Sequence, residues 1–191
     1  MSGADIWGVL AEVVAARERA GLPYKVGGAL ASVLQGAPRS TLDVDLVADL
    51  TVASVPLLVK ELGEGFYAEP EAIANSVRGG RSFNVIHLGL MLKVDIFPLR
   101  KSPYDLEDFG RRLLVPLPDG SSREVWTTSK EDIILRKLLW YESGGRISER
   151  QWNDVRTLLE VHGERLDWGY LFKWAASLAV NELLERARNR S

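Results

Sequence analysis

A mixed β-sheet flanked by helices, followed by a wholly helical C-terminal part, is the fold class this chain predicts: an α/β (α+β) architecture. Three observations carry it. Short β-type runs alternate with amphipathic helical segments up to about residue 127. Two pairs of those runs are separated by turn-forming residues, Gly89-Leu90 and Pro118-Asp119-Gly120, as in hairpins. Beyond Thr128 only helical periodicity remains.

Taken in order, residues 5–20 place Ile6, Val9, Leu10, Val13 and Val14 at helical spacing, and Gly21-Leu22-Pro23 stops that helix. Tyr24-Lys25-Val26 is a short strand leading into Gly27-Gly28. Residues 29–35 form a helix that Gly36-Ala37-Pro38 ends. Residues 42–48 are a strand with acids on alternate positions, and 52–62 form one helix with Pro56 near its start. A short helix spans 70–77. The runs 82–88 and 91–97 make the first hairpin, and 103–109 a helical turn. The runs 113–117 and 123–126 make the second hairpin. Ser129, three residues before Asp132, caps the first C-terminal helix, 130–143; others follow at 148–162, 167–176 and 179–188.

This layout predicts a core over residues 1–127 with a helical subdomain over 128–191 packed on it. A 191-residue chain that is 46% hydrophobic can bury a sizeable core. Its 24 basic and 26 acidic residues give a net charge of −2, so there is no bulk attraction to nucleic acid, though a local basic patch stays open. With no cysteine, disulfides, thiolate zinc sites and cysteine nucleophiles are excluded. Only His87 and His162 are present, which argues against a multi-histidine metal site. No signal peptide precedes the first helix, and no apolar run reaches ~18 residues, so a cytoplasmic protein without a membrane partner is expected.

The chemistry concentrates in three aspartates. On a strand, Asp43 and Asp45 point the same way while Val44 and Leu46 face the other side. Asp95, between Val94 and Ile96, shares a face with Lys93 and Phe97. If the two strands are neighbours, the three carboxylates converge and raise one another's pKa. A divalent cation removes that conflict, and carboxylate oxygens suit Mg2+ or Mn2+. Two such ions can activate a hydroxyl and stabilise a leaving pyrophosphate. A solvated strand face is the alternative for Asp43 and Asp45 alone. Gly27-Gly28, between strand and helix, offers backbone N–H groups to phosphate, and a tight turn explains it equally. Arg39-Ser40-Thr41 adds a guanidinium and hydroxyls, or a surface charge only.

Together, Val26-Gly27-Gly28, Arg39-x-Thr41-x-Asp43-Val44-Asp45-Leu46 and Lys93-Val94-Asp95-Ile96 resemble the DNA-polymerase-beta-like nucleotidyltransferase superfamily. The R-x-T-x-D-x-D form resembles its AbiEii-like toxin branch, which includes the MenT toxins, and related uncharacterised bacterial nucleotidyltransferases. The likeness covers residues 24–97 and extends more weakly to Leu135-Arg136-Lys137-Leu138 and Trp152-Asn153-Asp154-Val155. Helical geometry places Lys137 on an otherwise apolar sector, where it needs a partner or ligand or must snorkel to water. Asp154 lies near the border of its helix's apolar face, where a salt bridge to Lys137 or Arg150 also explains it. The chain departs from the branch after Gly28, where Ala29 and Leu30 stand instead of a hydroxyl residue and Ser32 is the nearest hydroxyl.

The resemblance implies a nucleotidyltransferase-type sheet and metal binding by Asp43, Asp45 and Asp95. It also implies that Asp95 helps deprotonate the acceptor, Lys137 holds the triphosphate, and Asp154 orients Lys137 or the nucleotide. Gly27, Gly28, Ser32, Arg39, Thr41 and Lys137 form the implied nucleotide-binding set. The implied partners are a nucleoside triphosphate, an RNA acceptor (transfer RNA first) ahead of a small hydroxylated molecule, and a cognate antitoxin if the chain is a toxin. The rival reading is a nucleotide-binding or protein-interaction module without catalysis. His87 and His162 read as structural. Trp140, Trp152, Trp168 and Trp174 read as packing anchors, with stacking of Trp140 or Tyr141 on a base as the alternative. The pairs Arg78/Arg81, Arg100/Lys101 and Arg111/Arg112 and the triplet Arg186/Arg188/Arg190 read as solvated, unless the fold gathers two of them beside the acids.

Overall fold

A computed structural model describes residues 3–37 and 40–189. Helix α1 (Gly3–Arg19) leads to β1 (Tyr24–Val26), α2 (Gly28–Leu34) and β2 (Val44–Ala48). A 3-10 turn (Val52–Ser54) precedes α3 (Val55–Leu62); a second (Gly63–Gly65) precedes β3 (Phe66–Tyr67). Then come α4 (Pro70–Arg78), β4 (Phe83–His87), β5 (Leu92–Pro98), α5 (Pro103–Gly110), β6 (Leu113–Pro116) and β7 (Glu124–Thr127). The chain continues helically through α6 (Lys130–Ser143), α7 (Glu149–His162), α8 (Trp168–Ser177) and α9 (Asn181–Arg188).

The seven strands form one mixed sheet in the order β3-β4-β5-β2-β1-β7-β6. Both expected hairpins are antiparallel pairs, β4–β5 and β6–β7. The pairing of β2 with β5 is parallel, so these strands require a crossover connection, which α3, β3, α4 and β4 supply. Three details depart from the sequence expectation. The strand expected from residue 42 begins at Val44, leaving Asp43 just outside it. The helix expected over 52–62 is split, because Thr51 and Ser54 cap a separate 3-10 turn and Pro56 opens a new helix. The two-residue β3 lacks the length for a recognisable period.

Alternation decides what each sheet face does. Val44, Leu46, Ala48, Val85, Val94 and Ile96 are fully buried, in one core with Val9, Leu10, Val13 and Val14 of α1 and Leu58 of α3. The opposite face carries Asp45, Val47, Asp95 and Phe97, all at least partly open. Helix α6 contributes Lys137 and Trp140 to the cleft over that open face. Ser129 caps it by accepting from the Asp132 amide at 3.1 Å, and the Tyr170 hydroxyl of α8 donates to Asp132 Oδ1 at 2.7 Å. Among the described residues no helix is long and apolar enough to cross a membrane.

Candidate active site

The register sets the acids side by side. Asp45 pairs with Asp95 across the β2–β5 ladder, and Asn84 of β4 pairs with Asp95. On the other flank the Gly27 amide donates to the Asp45 carbonyl at 2.8 Å. Asp45, Asp95 and Asn84 therefore form one row across three strands, with Gly27, just past β1, at its end. Asp43 is exposed, and its amide donates to Thr41 Oγ1 at 3.2 Å. Burial, then the charges of Asp95 and Asp43, push the Asp45 carboxyl up to about 6, while Lys93 and Lys137 oppose the rise. Lys93 Nζ stands 2.7 Å from Asp95 Oδ2, and that hydrogen bond raises the lysine's own pKa.

Gly28 is required by both its conformation and its neighbour. Its φ is +56°, and a Cβ there would stand 2.7 Å from Asp45 Cγ and 3.0 Å from Asp45 Cβ. The turn into α2 and the carboxylate thus fit only because no side chain intervenes. Ser32 does not reach this space: it is fully buried and its hydroxyl donates to the Gly28 carbonyl at 3.4 Å. Thr41 is partly exposed before β2, and Arg39 lies outside the described residues.

A cleft of about 590 Å³ opens over Asp45, large enough for a nucleotide-sized ligand. Gly27 and Gly28 line one part of it; Val47, Phe97 and Leu99 line its sheet side, and Lys137 and Trp140 of α6 a wall. Lys137, only 2% exposed, pairs with Asp154 Oδ2 of α7 at 2.5 Å. That pair satisfies the buried ammonium and keeps it in the cleft beside Asp45.

Sequence reasoning missed a buried charge network in the same cleft. Asp108, on α5, accepts from Lys25 of β1 and from Arg136 Nε at 2.9 Å. Arg136 Nη2 also reaches Asp105 Oδ1 at 2.5 Å, and Ser102 Oγ donates to Asp105 Oδ2. Burial lowers the Lys25 pKa, opposed by Asp108. Two signals were available: Lys25 sits in an apolar three-residue strand, and Asp105 and Asp108 stand three apart among Tyr104 and Phe109 on one helix. Their partner Arg136 had no such mark. The histidines are structural: His87 Nδ1 accepts from the Leu90 amide at 3.1 Å, and His162 Nε2 lies 2.7 Å from the Gln35 carbonyl at the end of α7.

The donor chemistry of the Asp45–Asp95 rung fits a hard divalent cation. Its oxygens are carboxylate, and the Asp45 pKa is raised by burial first and then by the charges of Asp95 and Asp43, which a cation would offset. The expected set of three is not gathered as a ready cage: among the described residues no three His, Cys, Asp or Glu side chains are grouped to hold a metal. Asp43 precedes β2 and lies outside the ladder that pairs Asp45 with Asp95.

No protein-family model matches the sequence, and no curated protein does either. Solved structures do match. The antibiotic-resistance factor ANT(2'')-Ia superposes with a TM-score of 0.56 at 17% identity, over 97% of this chain and 99% of that one. An antigenic nucleotidyltransferase-like protein from Paracoccidioides brasiliensis gives 0.59 at 16% identity, over 99% of this chain and 94% of that one. JHP933 from Helicobacter pylori gives 0.52 at 15% identity, over 96% of this chain and 80% of that one. A seven-stranded mixed sheet with helices in this arrangement is a nucleotidyltransferase-type fold.

Proposed function

We propose that the chain is a metal-dependent nucleotidyltransferase that moves a nucleoside monophosphate from a nucleoside triphosphate to a hydroxyl acceptor. The observation that carries this reading is the Asp45–Asp95 rung pressed against Gly28, opening on a cleft that holds the buried Lys137. Mg2+ or Mn2+ on Asp45 and Asp95, with Asp43 nearby, would polarise the α-phosphate and offset the charge of the departing pyrophosphate.

The chain's own groups do the rest. The Gly27-Gly28 backbone leaves room for phosphate oxygens, and Lys137, held by Asp154, places a cation beside them. Asp95 takes the acceptor's proton. The new bond joins the acceptor oxygen to the α-phosphorus, and the bond from that phosphorus to the bridging oxygen breaks, releasing pyrophosphate. Arg39 and Thr41, before β2, belong to the nucleotide-binding set. Ser32 contributes by holding the Gly28 carbonyl rather than by touching phosphate. The same reading divides the chain into a catalytic core over 1–127 and a helical subdomain over 128–191, and places it in the cytoplasm.

ANT(2'')-Ia has been seen with adenylyl-2''-tobramycin, which gives this fold a precedent for nucleotidyl transfer to a small molecule. The R-x-T-x-D-x-D pattern instead favours RNA, with transfer RNA first, and a toxin held by a cognate antitoxin. Incubation with labelled nucleoside triphosphates, Mg2+ or Mn2+ and total RNA tests transfer. Label is expected with wild type and lost with Asp45→Asn; equal labelling by both refutes the assignment. Tight triphosphate binding without turnover on any acceptor would mark an inactive binding module instead.

A further inference from the structure

We infer that the half of the cleft away from Gly27-Gly28 receives a phosphate-bearing acceptor, held by Arg81 and Arg100 against the ring of Phe97. This rests on reading the cleft as a nucleotidyl-transfer site, and it adds the acceptor's charge class and the residues that select it.

Most of the charged side chains that line the cleft are already paired. Asp105 is engaged by Ser102 and Arg136, and Asp108 by Lys25 and Arg136. Of the three carboxylates that line the cleft, only Asp45 therefore makes no ion pair among the described residues. Arg81 and Arg100 differ. Both line the cleft, both are exposed, and neither makes an ion pair among the described residues. Arg100 is near enough for its charge to help depress the Asp105 pKa, yet it forms no hydrogen bond with that carboxylate.

Their position follows from the hairpin. Arg81 leads into β4 and Arg100 follows β5, so both stand at the open end of the β4–β5 pair. Phe97 lies between them on β5. It is two residues beyond Asp95, hence on the same face; it is 39% exposed and lines the cleft. The triphosphate groups, Gly27, Gly28 and Lys137, come from the β1–α2 turn and from α6. Beyond Lys93, which already pairs with Asp95, a ligand reaching along β5 meets an aromatic ring and two guanidiniums that make no ion pair among the described residues. Guanidiniums match phosphate oxygens with paired N–H donors, and an aromatic face suits a sugar or base. In this half of the cleft a polycation would meet those guanidiniums, with the carboxylates of Asp105 and Asp108 already paired.

The chemistry is shared by an RNA end and a small phosphorylated sugar, so the test separates them. Wild type and the double variant Arg81→Glu/Arg100→Glu are given labelled triphosphate and Mg2+ with total RNA, ribose 5-phosphate or tobramycin. Binding of a fluorescein-labelled oligoribonucleotide and of ribose 5-phosphate is measured in parallel, with a non-hydrolysable triphosphate present. A phosphate-bearing probe is expected to bind and to accept label, and the double variant to raise its KM or Kd at least about tenfold. The triphosphate KM and the melting temperature should stay unchanged, since both side chains are exposed. Added salt should weaken binding to wild type more steeply than to the variant. Preference for RNA or for ribose 5-phosphate identifies the source. Preference for tobramycin, binding of neither phosphate-bearing probe, an unmoved acceptor constant, or a shift in the triphosphate KM instead overturns the inference. Transfer that needs Asp45 but ignores the arginines refutes this inference alone; transfer that ignores Asp45 refutes the underlying function.

Discussion

Replacing Gly28 by alanine tests the geometry on which the site depends. The residue sits at φ +56°, a left-handed conformation that costs an L side chain about 1–2 kcal/mol. The new Cβ would also approach Asp45 Cγ to 2.7 Å and Asp45 Cβ to 3.0 Å. The carboxylate can swing away, but the Cβ belongs to β2, which is held between β1 and β5. Relieving that overlap adds roughly 1–3 kcal/mol, as for an overpacked core. The total, about 2–5 kcal/mol, lowers the melting temperature by roughly 4–20 °C in a domain of this size. Gly21→Ala is the internal control, because Gly21 follows α1 with a similar φ of +63° and nothing within 4 Å of its Cβ position. It should show the backbone cost alone. Thermal unfolding followed by circular dichroism measures both variants, and labelled-nucleotide transfer should fall about 100-fold in Gly28→Ala from displacement of Asp45. If Gly28→Ala melts with Gly21→Ala and keeps its activity, Asp45 does not stand against the turn.

Asp45→Asn should raise stability at neutral pH while abolishing transfer. The folded pKa of about 6 exceeds the unfolded value, so folding favours the protonated acid, and wild type loses that advantage as pH rises from about 4 through 6. Above pH 6 the variant should be more stable by about 2 kcal/mol, and below pH 4 the two should coincide; parallel melting curves across that range contradict the assignment. Mn2+ should raise the melting temperature of wild type but not of Asp45→Asn, and equal shifts would place the ion elsewhere. Asp108→Asn should cost about 3–5 kcal/mol in urea unfolding, because Lys25 and Arg136 lose their shared anion in a buried setting. A cost below about 1 kcal/mol would mean the network is not a structural element. Lys137→Met should weaken triphosphate binding at least about tenfold by calorimetry, and an unchanged affinity would leave Lys137 as a partner of Asp154 only.

Local patterns made most of this fold readable. Both hairpins, the Gly27-Gly28 turn and the four C-terminal helices follow from short-range periodicity and turn residues. The Asp43-x-Asp45 and Asp95 runs were visible for the same reason, since alternation on a strand is a local property. The β2–β5 adjacency was only conditional in the sequence, because nothing local ties residue 45 to residue 95. The register supplied it, and also showed that Asp43 lies beyond the paired segment. Lys137 announced itself by standing on an apolar helix sector, and its partner Asp154 lay one helix away. The network of Lys25, Asp105, Asp108 and Arg136 escaped because its members come from three separate elements, and each alone looks like an ordinary charge. Ser32 was the nearest hydroxyl in the chain, yet the helix turned it inward onto its own backbone.

The parallel β2–β5 rung also makes the molecule divisible. Its two carboxylates belong to separate stretches of chain, and the exposed Gly63–Gly65 turn lies between them. Cut there, the protein becomes two fragments, each carrying one half of the acidic pair and neither able to bring both to a ligand. Fused to two proteins that bind each other, such fragments would recover nucleotide transfer only when their hosts meet.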